Sequence, residues 1–285
     1  MTMDTDGMEA SEGPRASELG ATDSFDVEGM PRYALLPGDP NRVSIMADQW
    51  DTGATESILR RNFRAAVGTY RGAAIGAVST GVGGPSAENV ITRLAINGVD
   101  TFIRVGTTGA IREDIGIGDI VINDASVRMD GVSALYVRPE YPAAASYDVT
   151  LALIQAAENI GVTYHVGTGY TAGSFFAGQF RASYGGYKPS RLEGEFDEMK
   201  QARVTNFEME GSALFTLSRI FGVRAGMCAA VVANRLTGEW EEKPSGVANA
   251  CLVGAEAVRI LTEWDRKRES SGRAYFFPGL ITGDA

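Results

Sequence analysis

The run from Val223 to Ala233 is apolar at nearly every position, broken only by Arg224, and so suits a strand buried on both faces. Such a strand needs a helical layer on each side, which points to an α/β architecture rather than a sheet with one face in water. Tyr33–Leu36 and Thr101–Val105 are further apolar strands. The pattern predicts others at about 58–67 and 73–79, meeting at Tyr70-Arg71-Gly72, and at about 119–123 and 164–170. Helices fall between them. One spans Val43 to Trp50, and one opens near Pro85 and stops at Gly98. Another is capped by Asp148, carries Leu151, Ile154, Ala157 and Ile160, and ends at Gly161; one opens at Asn206 and runs to Phe221; a long one runs from Ser245 to about Lys267. The expected fold is a three-layer αβα sandwich, with a mixed central β-sheet flanked by helices.

One domain is expected over residues 29–268. Residues 1–28, rich in Met, Asp, Glu, Ser and Gly without periodicity, read as a disordered extension. Residues 269–285 read as a tail, whose Tyr275-Phe276-Phe277 could pack against the body or seal an interface. The stretch at about 172–205 is Gly-rich and charged with little core pattern, as functional or mobile segments are.

A net charge of -10 argues against nucleic acid or an anionic membrane as a partner over a broad surface. The sequence has no long apolar run that could cross a membrane and opens on an acidic segment, so a cytoplasmic protein is expected. Cys228 and Cys251 lie in apolar surroundings and read as core residues, not as metal ligands. The single histidine, His165, stands mid-strand and reads as structural, which leaves no multi-histidine metal site.

Against that background Arg104 is out of place. Thr101-Phe102-Ile103-Arg104-Val105 is a core strand leading into Gly106-Thr107-Thr108-Gly109, read as a turn with backbone N–H groups and two hydroxyls. A cation near a core needs a partner: either a bound anion or one of the 36 acidic residues, and this segment alone leaves both open. Pro37-Gly38-Asp39-Pro40-Asn41-Arg42 adds a second arginine where a strand turns into a helix. Asn234-Arg235 adds a third at the end of the Val223–Ala233 strand, and ligands of open α/β sheets gather at such strand ends. The Gly81-Val82-Gly83-Gly84 loop has neither dinucleotide-binding spacing nor a P-loop lysine.

Two more clusters carry polar chemistry. Counting back one helical turn from Leu214 places Glu210 on the apolar face of its helix, where its carboxylate could accept hydrogen bonds from vicinal sugar hydroxyls. Glu208 is read as a first-turn charge favoured by the helix dipole. In Gly178-Gln179-Phe180-Arg181, the Gln179 amide complements the edge of a pyrimidine, and Arg181 could stabilise negative charge on that ring.

Taken in order, Pro37-Gly38-Asp39-Pro40 with Arg42, Thr80-Gly81-Val82-Gly83-Gly84-Pro85-Ser86, Arg104 through Ala110, Gly178 through Arg181, Phe207-Glu208-Met209-Glu210 and Asn234-Arg235 resemble the uridine phosphorylases of the nucleoside phosphorylase superfamily, over about residues 33–265. The resemblance implies a pentosyltransferase that cleaves uridine with phosphate, giving uracil and ribose 1-phosphate. It implies phosphate at Gly38, Arg42, Arg104 and Thr107, with Arg61 reaching over from a neighbouring subunit. Ribose falls to Thr107, Met209 and Glu210; the base falls to Gln179 and Arg181, with Arg235 assisting and Phe175 beside the ring. The resemblance also implies that catalysis rests on Arg104, Arg181 and Glu210, with bound phosphate itself as the nucleophile. The resemblance implies no cofactor, and a homo-oligomer of site-sharing dimers, usually a hexamer.

Two departures stand out. Bacterial-type relatives often place a histidine near the N-terminus that reaches a neighbour's ribose 5′-hydroxyl, and no histidine precedes His165. A glutamate that can hold a monovalent cation between subunits would fall at Asn62, whose side chain is neutral. The alternatives are a phosphorylase for another nucleoside, a nucleoside hydrolase, or a non-catalytic binding or storage protein on the same fold. Purine-specific relatives tend to carry an aspartate near position 234, where this chain has Asn234.

Overall fold

The computed structural model describes residues 27–242 and 245–283, so the predicted disordered extension lies outside the described residues apart from Val27 and Glu28. Strand β1 (Tyr33–Pro37) is buried at every position, as an apolar run between two parallel neighbours must be. Those neighbours are β4 (Ala73–Val78) and β5 (Thr101–Ala110). Antiparallel β2 (Thr55–Ile58) and β3 (Arg64–Tyr70) form the edge beyond β4. With β6 (Ile120–Met129), β7 (Tyr164–Ala172), β8 (Asn206–Glu208) and β9 (Arg224–Asn234), they build one mixed sheet in the order β2-β3-β4-β1-β5-β8-β7-β6-β9. Because β9 also pairs with β5, the last five strands close into a ring.

The pleat sorts the core into two layers. Leu35, Ile103, Val105, Cys228 and Ala230 face helices α1 (Asn41–Ala47), α4 (Tyr147–Ile160) and α7 (Val247–Ser270). Ala34, Leu36, Phe102, Met227 and Ala229 face α2 (Gly84–Ile96) and α6 (Gly211–Ile220). The expected αβα sandwich is therefore present, with short α3 (Ser133–Tyr136), α5 (Glu195–Gln201) and α8 (Gly279–Thr282) outside its main layers.

Several local expectations are corrected. Gly106–Gly109 is not a turn but the continuation of β5, held by parallel pairing with β9 along its length. The strand expected at about 58–67 is interrupted by a 3-10 turn at Arg60–Asn62, where Arg61 and Asn62 both adopt φ of 60°. Asn206–Glu208 is strand, paired with both β5 and β7, so α6 starts only at Gly211. Asp148 does not cap α4; Ser146 stands at that position, and the Asp148 carboxylate pairs with Arg224 at 2.9 Å. The 172–205 stretch carries its own small core around Phe180, Leu192, Val204 and Phe207. In the tail, Phe276 stacks on Trp264 of α7 with centroids 4.2 Å apart, and its carbonyl accepts the Tyr147 hydroxyl.

One irregularity opens the sheet. On the β1 side of β5, pairing ends at Pro37↔Val105, and β8 takes over only at Gly109. Residues 106–108 lie between these two pairings, next to the loop that leaves β1.

Candidate active site

A cavity of about 810 Å³ occupies that opening, and every predicted site residue except Arg61 lines it: Gly38, Arg42, Arg104, Thr107, Phe175, Gln179, Arg181, Met209, Glu210 and Arg235. Arg61 sits on the exposed 3-10 turn before β3 and does not line the cavity of its own chain.

At one end the loops after β1 and β4 are laced together: Thr80 N–H donates to the Pro37 carbonyl at 2.8 Å and Gly81 N–H to that of Gly38 at 3.0 Å. A Cβ on residue 38 would come within 3.1 Å of the Gly81 carbonyl oxygen and 3.3 Å of Arg104 Nη2, so any larger residue would push one of these neighbours aside. Two buried guanidinium groups meet here. Arg42 Nη1 donates to the Val105 carbonyl at 2.9 Å, a group β1 leaves beside the opening. Arg104 donates from Nη1 to the Thr80 hydroxyl at 3.1 Å, and its Nη2 forms an ion pair with Glu210. Its Nε is buried without a hydrogen-bond partner. Burial, together with the nearby Arg104 charge, holds the Arg42 pKa below its ordinary value. Of the two answers left open for Arg104, the acidic partner is the one present, and the same guanidinium lines a cavity together with a second arginine.

Glu210 is the N-cap residue of α6 and is 3% exposed. Its Oε1 accepts the Gly83 N–H at 2.6 Å, tying the glycine loop after β4 to this carboxylate. Glu208 also lines the cavity, which sequence reasoning missed by placing it in a helix. Burial, reinforced by the Glu210 charge, pushes its pKa up to about 7.

The other end of the cavity is aromatic and basic. Gln179 is buried, and its backbone carbonyl accepts Arg235 Nη1 at 3.0 Å. The Arg235 guanidinium also lies against the rings of Phe196 and Phe207, 5.2 and 5.4 Å from their centroids. Burial, with Arg181 close by, brings its pKa down to about 10. Arg181 lies 4.8 Å from the Phe175 ring centroid, and its Nε is buried without a hydrogen-bond partner. Asn234 lines the cavity, but its amide is committed to the fold: Nδ2 donates to the Arg112 and Ile115 carbonyls and Oδ1 accepts the Leu236 N–H. Phe207 and Trp240 are further lining residues the sequence reading did not single out. Phe207 opens the Phe207-Glu208-Met209-Glu210 motif, whereas Trp240 sits in a polar loop without periodicity.

His165 and the cysteines stand apart. His165 Nε2 lies 2.9 Å from an Asp119 carboxylate oxygen, and neither residue lines the cavity. Cys228 and Cys251 are buried free thiols, and burial raises the pKa of both, that of Cys251 to about 11.

The fold is thus a mixed αβα sandwich whose cavity carries paired arginines at one end and Gln179 with Arg181 and Arg235 at the other. The family profile described as the phosphorylase superfamily matches residues 32–262, and the chain belongs to that family. It is 50% identical to a uridine phosphorylase of Thermococcus kodakarensis over 249 residues, which cover 87% of this chain and 89% of that protein. It is 40% identical to a uridine phosphorylase of Salmonella typhimurium over 250 residues, 87% of this chain and 96% of the relative. A guanosine phosphorylase of Halorubrum lacusprofundi is 32% identical over 205 residues, 72% of this chain and 79% of that one.

Proposed function

We propose that this protein is a pentosyltransferase that catalyses the reversible phosphorolysis of uridine to uracil and ribose 1-phosphate. One observation carries the reading: the segment Phe207–Glu210 bridges two cationic pockets, touching Arg235 through the Phe207 ring and Arg104 through the Glu210 carboxylate. A nucleoside lying along it, with phosphate at one end, fits that layout.

In this reading Gly38, Arg42, Arg104 and Thr107 hold phosphate, Thr107, Met209 and Glu210 hold the ribose, and Gln179 and Arg181 hold the base with Phe175 and Arg235 beside it. A phosphate oxygen attacks C1′ as the C1′–N1 bond breaks, and the bonding pair leaves with uracil, which then takes up a proton. Positive charge grows on the sugar beside the phosphate, while negative charge grows on the base beside Arg181 and Arg235. No side chain becomes covalently attached, consistent with two cysteine thiols held protonated by burial.

Arg61 supports a shared site. It is exposed on its own chain and does not line that chain's cavity, which leaves its guanidinium available to a neighbour. The reading therefore includes a homodimer in which the partner's Arg61 reaches the phosphate, built into a hexamer, serving pyrimidine salvage in the cytoplasm.

Uracil release from uridine, measured with and without phosphate, tests the proposal. Release that depends on phosphate is expected. Equal release in phosphate-free buffer means a hydrolase, and no release in either buffer means a binding protein.

A further inference from the structure

Glu208, buried at the end of β8, is held by three hydrogen bonds. Its Oε2 accepts two backbone N–H groups, those of Glu210 and Gly211, at 2.7 Å each, and its Oε1 accepts the Thr171 hydroxyl. Those N–H groups open α6, whose N-cap residue Glu210 makes no capping bond with its own side chain. Gly211 makes room for the carboxylate: a Cβ there would lie 2.9 Å from Glu208 Oε1 and 3.1 Å from Met227 Sδ. Thr171 is fixed in turn by the Ser126 hydroxyl and the Ser212 N–H, both at 2.7 Å, and the Ser212 hydroxyl donates to Asp130 at 2.5 Å. This polar chain, buried between β6, β7 and α6, ends on the backbone of Glu210.

A helix start can be capped by a neutral hydroxyl or amide. Here the cap is a buried carboxylate beside a second buried carboxylate, an arrangement that works against ionisation. Such a costly cap fits a site that needs the Glu210 backbone fixed in one orientation. We propose that Glu208 is a positioning residue for sugar recognition: it holds the Glu210 backbone so that the Glu210 carboxylate meets the ribose hydroxyls. This rests on the assignment of ribose to Glu210 in the proposed function.

The experiment compares wild-type protein with Glu208→Ala, Glu208→Gln and Thr171→Val in steady-state phosphorolysis, varying uridine and phosphate separately. Phosphate-dependent uracil release by the wild type is the control that tests the function itself, independently of Glu208. Glu208→Ala is expected to raise the uridine KM by about ten- to a hundredfold, the scale of losing hydrogen bonds to a charged group, and to leave the phosphate KM unchanged or lower, because a displaced Glu210 carboxylate competes less for Arg104. Glu208→Gln keeps one acceptor oxygen and is expected to recover most of the difference, to within about threefold of wild type. Thr171→Val, which leaves Glu208 in place but loosened, is expected to show the same split at smaller amplitude, and it decides the matter if Glu208→Ala does not fold. An unchanged uridine KM, or both KM values rising together, overturns the proposal.

Discussion

Arg104 and Glu210 form an ion pair in which both side chains are almost fully buried, and Glu210 divides its carboxylate between that guanidinium and the Gly83 N–H. The cation assigned to phosphate and the carboxylate assigned to the sugar therefore neutralise one another directly. A bound phosphate must share Arg104 with Glu210. Glu210→Gln keeps the acceptor for Gly83 but removes the competing charge. Phosphate should then bind about three- to tenfold more tightly, while kcat/KM for uridine falls by roughly a hundredfold, the scale of a lost charged hydrogen bond. Steady-state kinetics with each substrate varied in turn checks this, and a phosphate KM that rises in parallel with the uridine KM would sink it.

Gly38→Ala probes the same end without changing charge. The added Cβ would press on the Gly81 carbonyl oxygen and on Arg104 Nη2, and either the loop or the guanidinium must shift. The expected outcome is a drop in kcat/KM for phosphate of about tenfold or more, since a small misplacement of a charge-stabilising donor is costly. Circular dichroism should show the fold intact, because the loop rather than the core takes the strain. Wild-type kinetics would mean that the close approach has no bearing on phosphate.

Burial and the neighbouring Glu210 charge raise the Glu208 pKa from 4.5 to about 7, with Arg104 acting the other way and Asp130 reaching it only through Ser212 and Thr171. Between those values the folded protein holds a proton that the unfolded chain releases. This group therefore favours folding at low pH, and the contribution is lost as pH rises through about 7. Glu208→Gln cannot titrate. Its Tm relative to wild type should thus climb as pH rises from about 5 to about 7 and level off above that, whatever offset the substitution introduces. A Tm difference independent of pH would show that Glu208 titrates normally in the fold.

The cavity was legible in the sequence to the extent that its residues betray themselves locally. Arg104 is a charge in an apolar strand, and Gly38 and the Gly81–Gly84 loop are glycines clustered where backbones approach. Residues whose role depends on strand pairing were not legible. Gly106–Gly109 looks like a turn because glycine and threonine dominate it, yet pairing with β9 and β8 keeps it extended. Asn206–Glu208 carries no strand pattern of its own; three residues are too few to show one, and β5 and β7 impose the conformation from either side. That override moved Glu208 from a supposed helix turn to a strand end, and with it the carboxylate from dipole partner to ligand of two specific N–H groups. The ring closed by β9 on β5 is likewise a long-range pairing that no local period records.

Arg61 offers the test of a site built by two chains. Arg104→Ala should lower turnover by about two to three powers of ten, the scale for losing one preorganised charge-stabilising donor. Arg61→Ala should lower it too, although Arg61 does not line the cavity of its own chain. Protomers carrying the two changes, unfolded and refolded together, would form mixed dimers in which one of the two sites has both arginines intact. Activity of the mixture should exceed that of either parent, approaching about a quarter of wild type for equal amounts assorting at random, since half the dimers are mixed and each holds one intact site of two. Recovery requires exchange of chains, so mixing without refolding is the control. A refolded mixture no more active than its parents would place Arg61 outside the catalytic site.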